Sequence, residues 1–232
     1  MKNYSLIFVL FVMSVHLTAQ SYDRNTINYL QFANKQYYFG ITLGYNSPGY
    51  KVFRSREFIL NDSIRNIEAP RGPGFNLGIV TNLKMGQDFD LRFLPTLSFA
   101  DRTLSYRTLA GREDKKRIES VFVELPFQVR YKSKLYHDFR LFVLAGMKYS
   151  YDLASNARSR QAQQLLKVSP HNYDLEFGGG IQIFFPYFIF SPEIKFSYGL
   201  NNGLLYDRDL IYSSILEKVL ARTMTISLHF EG

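Results

Sequence analysis

From residue 37 to the C-terminus the sequence alternates between apolar and polar residues with a period of two, in eight separate runs. A strand places successive side chains on opposite faces, so such alternation marks strands with one apolar and one polar face. The clearest run sets Val121, Val123, Leu125, Phe127, Val129 and Tyr131 against Ser120, Phe122, Glu124, Pro126, Gln128 and Arg130. Comparable runs begin near Phe39, Phe75, Phe89, Leu141, Tyr173, Phe188 and Leu220. Each is close to the ~9–11 residues that a tilted strand needs to cross a bilayer.

The connectors alternate in length. Short ones fall at Lys84–Asp88, Lys132–Asp138 and Phe184–Tyr187, and long ones at Ser47–Pro73, Ala100–Glu119, Asp152–Asn172 and Leu200–Lys218. Aromatic residues gather at the ends of the runs, as in the two girdles of a membrane barrel (Tyr45, Phe75, Phe99, Tyr131, Tyr149, Tyr173, Tyr198, Phe230). The expected fold is all-β: an eight-stranded antiparallel transmembrane β-barrel with short periplasmic turns and long outer loops. A soluble antiparallel barrel or sandwich would also alternate. The continuous Phe, Leu, Ile and Tyr face and the girdles favour the membrane form.

The N-terminus supports export. Lys2 precedes an apolar run from Leu6 to Val15, and Ala19-Gln20 offers a cleavage region. That order is a secretory signal, and the run is too short for a comfortable helical span. Residues 1–20 are read as a signal peptide, 21–36 as a polar periplasmic tail or short helix, and 37–232 as the barrel in the outer membrane. Both termini then lie in the periplasm. The stretch Asp209–Leu220 carries Ile211, Ile215, Leu216, Val219 and Leu220 at near-helical spacing, which predicts a short helix before the last strand.

The polar face predicts what fills the interior. It carries Asp90, Arg92, Glu124, Arg130, Lys148, Asp174, Glu176, Glu193 and Lys195, whereas Val121, Val123, Leu125, Phe127 and Val129 face lipid. Eight strands enclose a lumen only wide enough for side chains. Charges there must pair or meet water. Expected pairs are Arg92 with Glu124, Asp90 with Arg130, Lys148 with Asp174 or Glu176, and Glu176 with Lys195.

Catalytic signals are weak. The mature histidines are His137, His171 and His229, and Ser169 near His171 is a sequence coincidence of a common kind. Without cysteine, three scattered histidines make no metal site. Gly178-Gly179-Gly180 sits inside a strand pattern and is not a phosphate loop. The expectation is a non-enzymatic protein with no cofactor, no metal, no nucleic-acid partner and no small-molecule substrate. A net charge of +8 and basic connectors, such as Lys115-Lys116-Arg117, point toward outer-membrane lipids and lipopolysaccharide.

Val121-Phe122-Val123-Glu124-Leu125-Pro126-Phe127 resembles a phrase of small outer-membrane barrels. With Phe39-Gly40-Ile41, Gly74-Phe75-Asn76-Leu77-Gly78, Phe177-Gly178-Gly179-Gly180 and Ser191-Pro192-Glu193-Ile194-Lys195-Phe196-Ser197, the chain from Gln36 to Phe230 resembles the PorT family. The resemblance implies a structural or assembly role in type IX protein secretion, with gliding motility where present, and other secretion-system proteins as partners. It brings no catalytic residue. The rival readings are a lipid-modifying hydrolase of the outer membrane and an adhesion or ligand-binding barrel.

Overall fold

The structure is a computed structural model, and it describes residues 27–55, 64–108, 113–154, 169–204 and 216–232. The signal segment 1–20 lies outside the described residues. A short helix, α1 (Ile27–Ala33), precedes ten strand segments. These are β1 (Tyr37–Arg54), β2 (Ile64–Glu68), β3 (Arg71–Met85), β4 (Phe89–Phe93), β5 (Thr96–Thr108), β6 (Glu113–Lys132), β7 (Phe139–Asp152), β8 (His171–Phe184), β9 (Ile189–Gly199) and β10 (Leu216–Glu231).

The ten segments form eight staves. β2 and β3 both run along β5, and β4 and β5 both run along β6, so each pair is one interrupted stave. The second interruption is at Pro95, which has no N–H to give to the ladder. The alternation survives it: Leu94 points inward and is buried, while Leu97 is exposed outside. The ring closes because β1 pairs on one side with β3 (Leu43↔Leu77) and on the other with β10 (Leu43↔Leu228). Up to Asn46, β1 thus has a partner on each side and presents no free edge to lipid.

The partition of side chains is inverted relative to a water-soluble protein. Buried positions are dominated by Asp, Glu, Arg, Lys, Asn and Ser, and exposed ones by Phe, Leu, Ile and Tyr. On β6, Phe127 is 56% exposed and its neighbour Arg130 is fully buried. Water does not reward such a surface, whereas hydrocarbon does.

All the short turns share one end of the barrel with α1 and the C-terminal residues of β10. They are Gly86–Asp88, Ser133–Asp138 and Phe185–Phe188. Gly86 and His137 take positive φ there (83° and 53°), and Tyr136 and Phe139 exchange backbone hydrogen bonds of 2.9 and 3.1 Å around His137.

Three sequence expectations are corrected at the opposite end. Ser47–Pro73 is largely strand, because β1 continues to Arg54 and β2 and β3 begin at Ile64 and Arg71. Ala100–Glu119 is an extended hairpin of β5 and β6 rather than a loop. Paired strands satisfy one another's backbone in water as well as in lipid, so the ladder runs on where the apolar face stops. The third concerns the predicted helix at Asp209–Leu220. Leu216–Leu220 belong to β10, with Leu216 and Val219 both buried inside, and residues 209–215 lie outside the described residues. The register shift between Phe53 and Arg54 displaces the alternation at this point, which produces the misleading helical spacing.

Candidate functional site

The barrel interior is a packed polar column. Nearest the turns, Asp90 of β4 faces Arg130 of β6 in direct register. Its Oδ2 accepts hydrogen bonds from Arg130 Nη2 at 2.6 Å, from Arg130 Nε at 3.2 Å and from the Tyr38 hydroxyl at 3.0 Å. Lys132 pairs with Oδ1 of the same carboxylate. Arg130 also donates to Asn82 Oδ1 at 3.1 Å and to the Tyr38 hydroxyl.

One level up, the Arg92 guanidinium bridges two carboxylates. It reaches Glu193 Oε2 of β9 and Glu231 Oε1 of β10, both at 2.8 Å, with all three side chains fully buried. His229 Nε2 lies 3.4 Å from Glu193 Oε2. A further cluster centres on Lys148, which lies 3.2 Å from Glu124, 3.3 Å from Asp174 and 3.7 Å from Glu176. Glu176 also meets Lys195 at 3.4 Å and accepts from Gln128 at 2.7 Å and Ser197 at 2.8 Å. Beyond these, Arg102 packs over the rings of Tyr50 and Phe122, and Ser120 donates to Asp152 at 2.8 Å.

All nine charged residues read from the sequence thus face the lumen. Their predicted partners hold for Asp90–Arg130, Lys148–Asp174, Lys148–Glu176 and Glu176–Lys195. Arg92 does not pair with Glu124. In register Arg92 stands opposite Gln128, and Glu124 stands opposite Thr96 beyond the Pro95 break. Four residues of strand separate those levels, about 13 Å. Arg92 therefore reaches across the lumen, and Glu124 serves Lys148. Sequence reasoning missed Glu231, Lys132, Arg140, Arg102 and Asp152. The signal for two was present: Glu231 continues the inward series Ser227, His229, and Lys132 continues Gln128, Arg130. On the outer face Phe127 and Val129 are exposed, and Val121, Val123 and Leu125 are half-buried against neighbouring wall side chains.

The turn end of the column is corked by α1. Phe32 is buried with Tyr38, Phe184 and Ile189, and Tyr29 packs edge-on against Phe184 at 5.1 Å. The helix is held at both ends. Asp138 accepts from the backbone N–H groups of Asn28 at 3.2 Å and Tyr29 at 3.4 Å, supplying the acceptor that the helix start lacks. Lys84 donates to the carbonyls of Phe32 and Ala33 at the other end, where a cation is favoured. Residues 21–26 of the sequence-defined tail lie outside the described residues.

Among the described residues the histidines assemble no nucleophile with its base. Ser169 Oγ bonds the backbone of His171, donating to its carbonyl at 3.1 Å and accepting from its N–H at 3.3 Å. The His171 ring instead lies 2.8 Å from the Tyr149 hydroxyl on the exposed face. Among the described residues no group of three or more His, Asp or Glu is arranged to hold a metal ion.

A closed eight-stave ring with an apolar exterior and a charge-filled lumen defines a small transmembrane β-barrel. The chain belongs to the family of the outer membrane protein beta-barrel domain, whose model matches residues 19–204, and its location is the outer membrane. Among solved structures it is similar to the outer membrane protein OprG from Pseudomonas aeruginosa at 11% identity, covering 84% of this chain and 95% of that one, with a TM-score of 0.48. Similarity to Ail, the attachment invasion locus protein of Yersinia pestis, in complex with the heparin analogue sucrose octasulfate, is at 14% identity over 85% and 100% of the two chains, with a TM-score of 0.38. Neisserial surface protein A is 7% identical over 84% and 97%, with a TM-score of 0.41. No curated protein matches the chain.

Proposed function

We propose that this barrel is a non-enzymatic component of the type IX protein secretion machinery, and of gliding motility where that occurs, acting as a structural or assembly element. The observation that carries the reading is the lumen. The Arg92 bridge to Glu193 and Glu231 crosses it, and α1 closes its turn end, so cargo has no path through it. Any role in transport runs through the outer surfaces: the lipid-facing wall, the extended hairpins and the tail before β1. The PorT resemblance supplies the machinery. The end that carries the short turns, α1 and the C-terminal residues is the periplasmic end, reached after removal of the signal peptide. Outer-membrane lipids, lipopolysaccharide and other secretion-system proteins are the partners.

The test is cargo secretion in a deletion strain complemented by the intact chain or by variants that still reach the outer membrane. Deletion is expected to stop secretion. His171→Ala and His229→Ala are expected to restore it, whereas trimming residues 47–73 or 152–172 is expected not to. Normal secretion in the deletion strain, with an altered lipid A mass spectrum, would replace this reading with a lipid-modifying hydrolase.

A further inference from the structure

We propose that the outer wall carries a seat for one acyl chain of a membrane phospholipid, in an apolar groove that starts at the end of the β1–β3 ladder and runs across β5 to β6, with the lipid phosphate at Arg71. The inference rests on the wall facing lipid and is independent of the secretion role.

The groove has a physical origin. The β1–β3 ladder ends at Asn46↔Gly74, after which β1 continues along β10 alone. β3 meanwhile shifts register against β5 between Arg71 and Gly74, around Pro73. The wall is therefore notched at the end away from the turns. The notch has a volume of about 680 Å³, within the ~300–1,000 Å³ of small-ligand sites. Its sides are lipid-facing Tyr45, Phe75, Phe99 and Val121, with Phe75 and Phe99 stacked at 4.5 Å. Gly74 and Ala100 line its base.

The occupant follows from position and charge. The cavity is apolar and continuous with the lipid-facing wall, so the molecules that reach it first are acyl chains. Asp101 and Ser120 mark its polar margin, and Ser120 is already bonded to Asp152. Two residues beyond Pro73, Arg71 is exposed and in no ion pair among the described residues, with its Cγ against Gly49 of β1. Arg71 stands on the same strand two residues from the lining residue Pro73, and a guanidinium there matches a phosphodiester above an acyl chain.

The experiment is native mass spectrometry of the intact protein released from detergent, with Val121→Trp to fill the groove and Val129→Trp on the open wall of the same strand as the control. The wild type and Val129→Trp are expected to carry one phospholipid mass. Val121→Trp is expected to lose it, and Arg71→Ala to retain it several-fold less. Wild-type protein that emerges without lipid, or equal retention by the two tryptophan variants, overturns the proposal. Retention by Arg71→Ala at the wild-type level overturns the phosphate assignment. The chain has no tryptophan, so each variant is also a single-fluorophore reporter. Should Val121→Trp fail to insert, Phe99→Trp decides the matter in vesicles containing a brominated-chain phospholipid. Its quenching is expected to persist through a detergent wash that removes quenching from Val129→Trp, and equal loss from both overturns the groove.

Discussion

Arg92→Leu should destabilise the barrel more than any single change on the lipid face of comparable size. The guanidinium holds two carboxylates, each at 2.8 Å, in a layer with no exposure to water. Removing it leaves His229 at 3.4 Å from Glu193, and Arg130 at 3.9 Å from Glu231, as the ion-pair neighbours within 4 Å among the described residues. Breaking a buried pair from one side costs about 3–5 kcal/mol, because the orphaned charge keeps its desolvation penalty. Two carboxylates are orphaned here, and their residual neighbours offset part of that, which places the expected loss at the upper end of the range. The assay is urea unfolding of the protein refolded in vesicles, read by the mobility difference between folded and unfolded barrel on unheated gels. Adding Glu193→Gln and Glu231→Gln to Arg92→Leu should recover much of the loss. A double-mutant cycle should couple Arg92 with Glu231 by about 0.5–3 kcal/mol and leave Arg92 with Glu124 additive. An Arg92→Leu variant within about 0.5 kcal/mol of wild type, or coupling confined to Arg92 and Glu124, would refute the cross-lumen bridge.

Three further outcomes follow from the same geometry. Phe127→Arg should block insertion, since a charge on the lipid face costs about 2–4 kcal/mol near mid-membrane, whereas Phe127→Leu should insert; outer-membrane fractionation separates them. Asp138→Ala should weaken the seating of α1 by about 1 kcal/mol through loss of the acceptor at its start, seen as faster amide exchange over residues 27–33 with the barrel strands unchanged. Tyr38→Phe removes a hydroxyl set between Asp90 and Arg130, and a loss of about 1–3 kcal/mol in the same urea assay is expected, with no change in strand content by circular dichroism.

Alternation alone determined the staves. Val121–Tyr131 reads as a strand with a lipid face and a lumen face because a period of two admits no other use of that pattern in a bilayer. It also named nine charged residues of the polar column, but not Glu231, Lys132, Arg140, Arg102 or Asp152. Pairs in direct register, such as Asp90 with Arg130, followed from the order of hairpins. The partners of Arg92 did not, because a contact across the lumen depends on the stagger and tilt of staves remote in sequence, and no local pattern carries the shear of a closed barrel. The same holds for α1, whose seven residues are too few to be stable by themselves and take their place from Asp138 of a barrel turn and Lys84 of β3. It holds for the lateral groove, which brings together residues of β1, β3, β5 and β6. The sequence named many of the side chains that would be hidden from lipid; the closed ring added the others and decided which of them would meet.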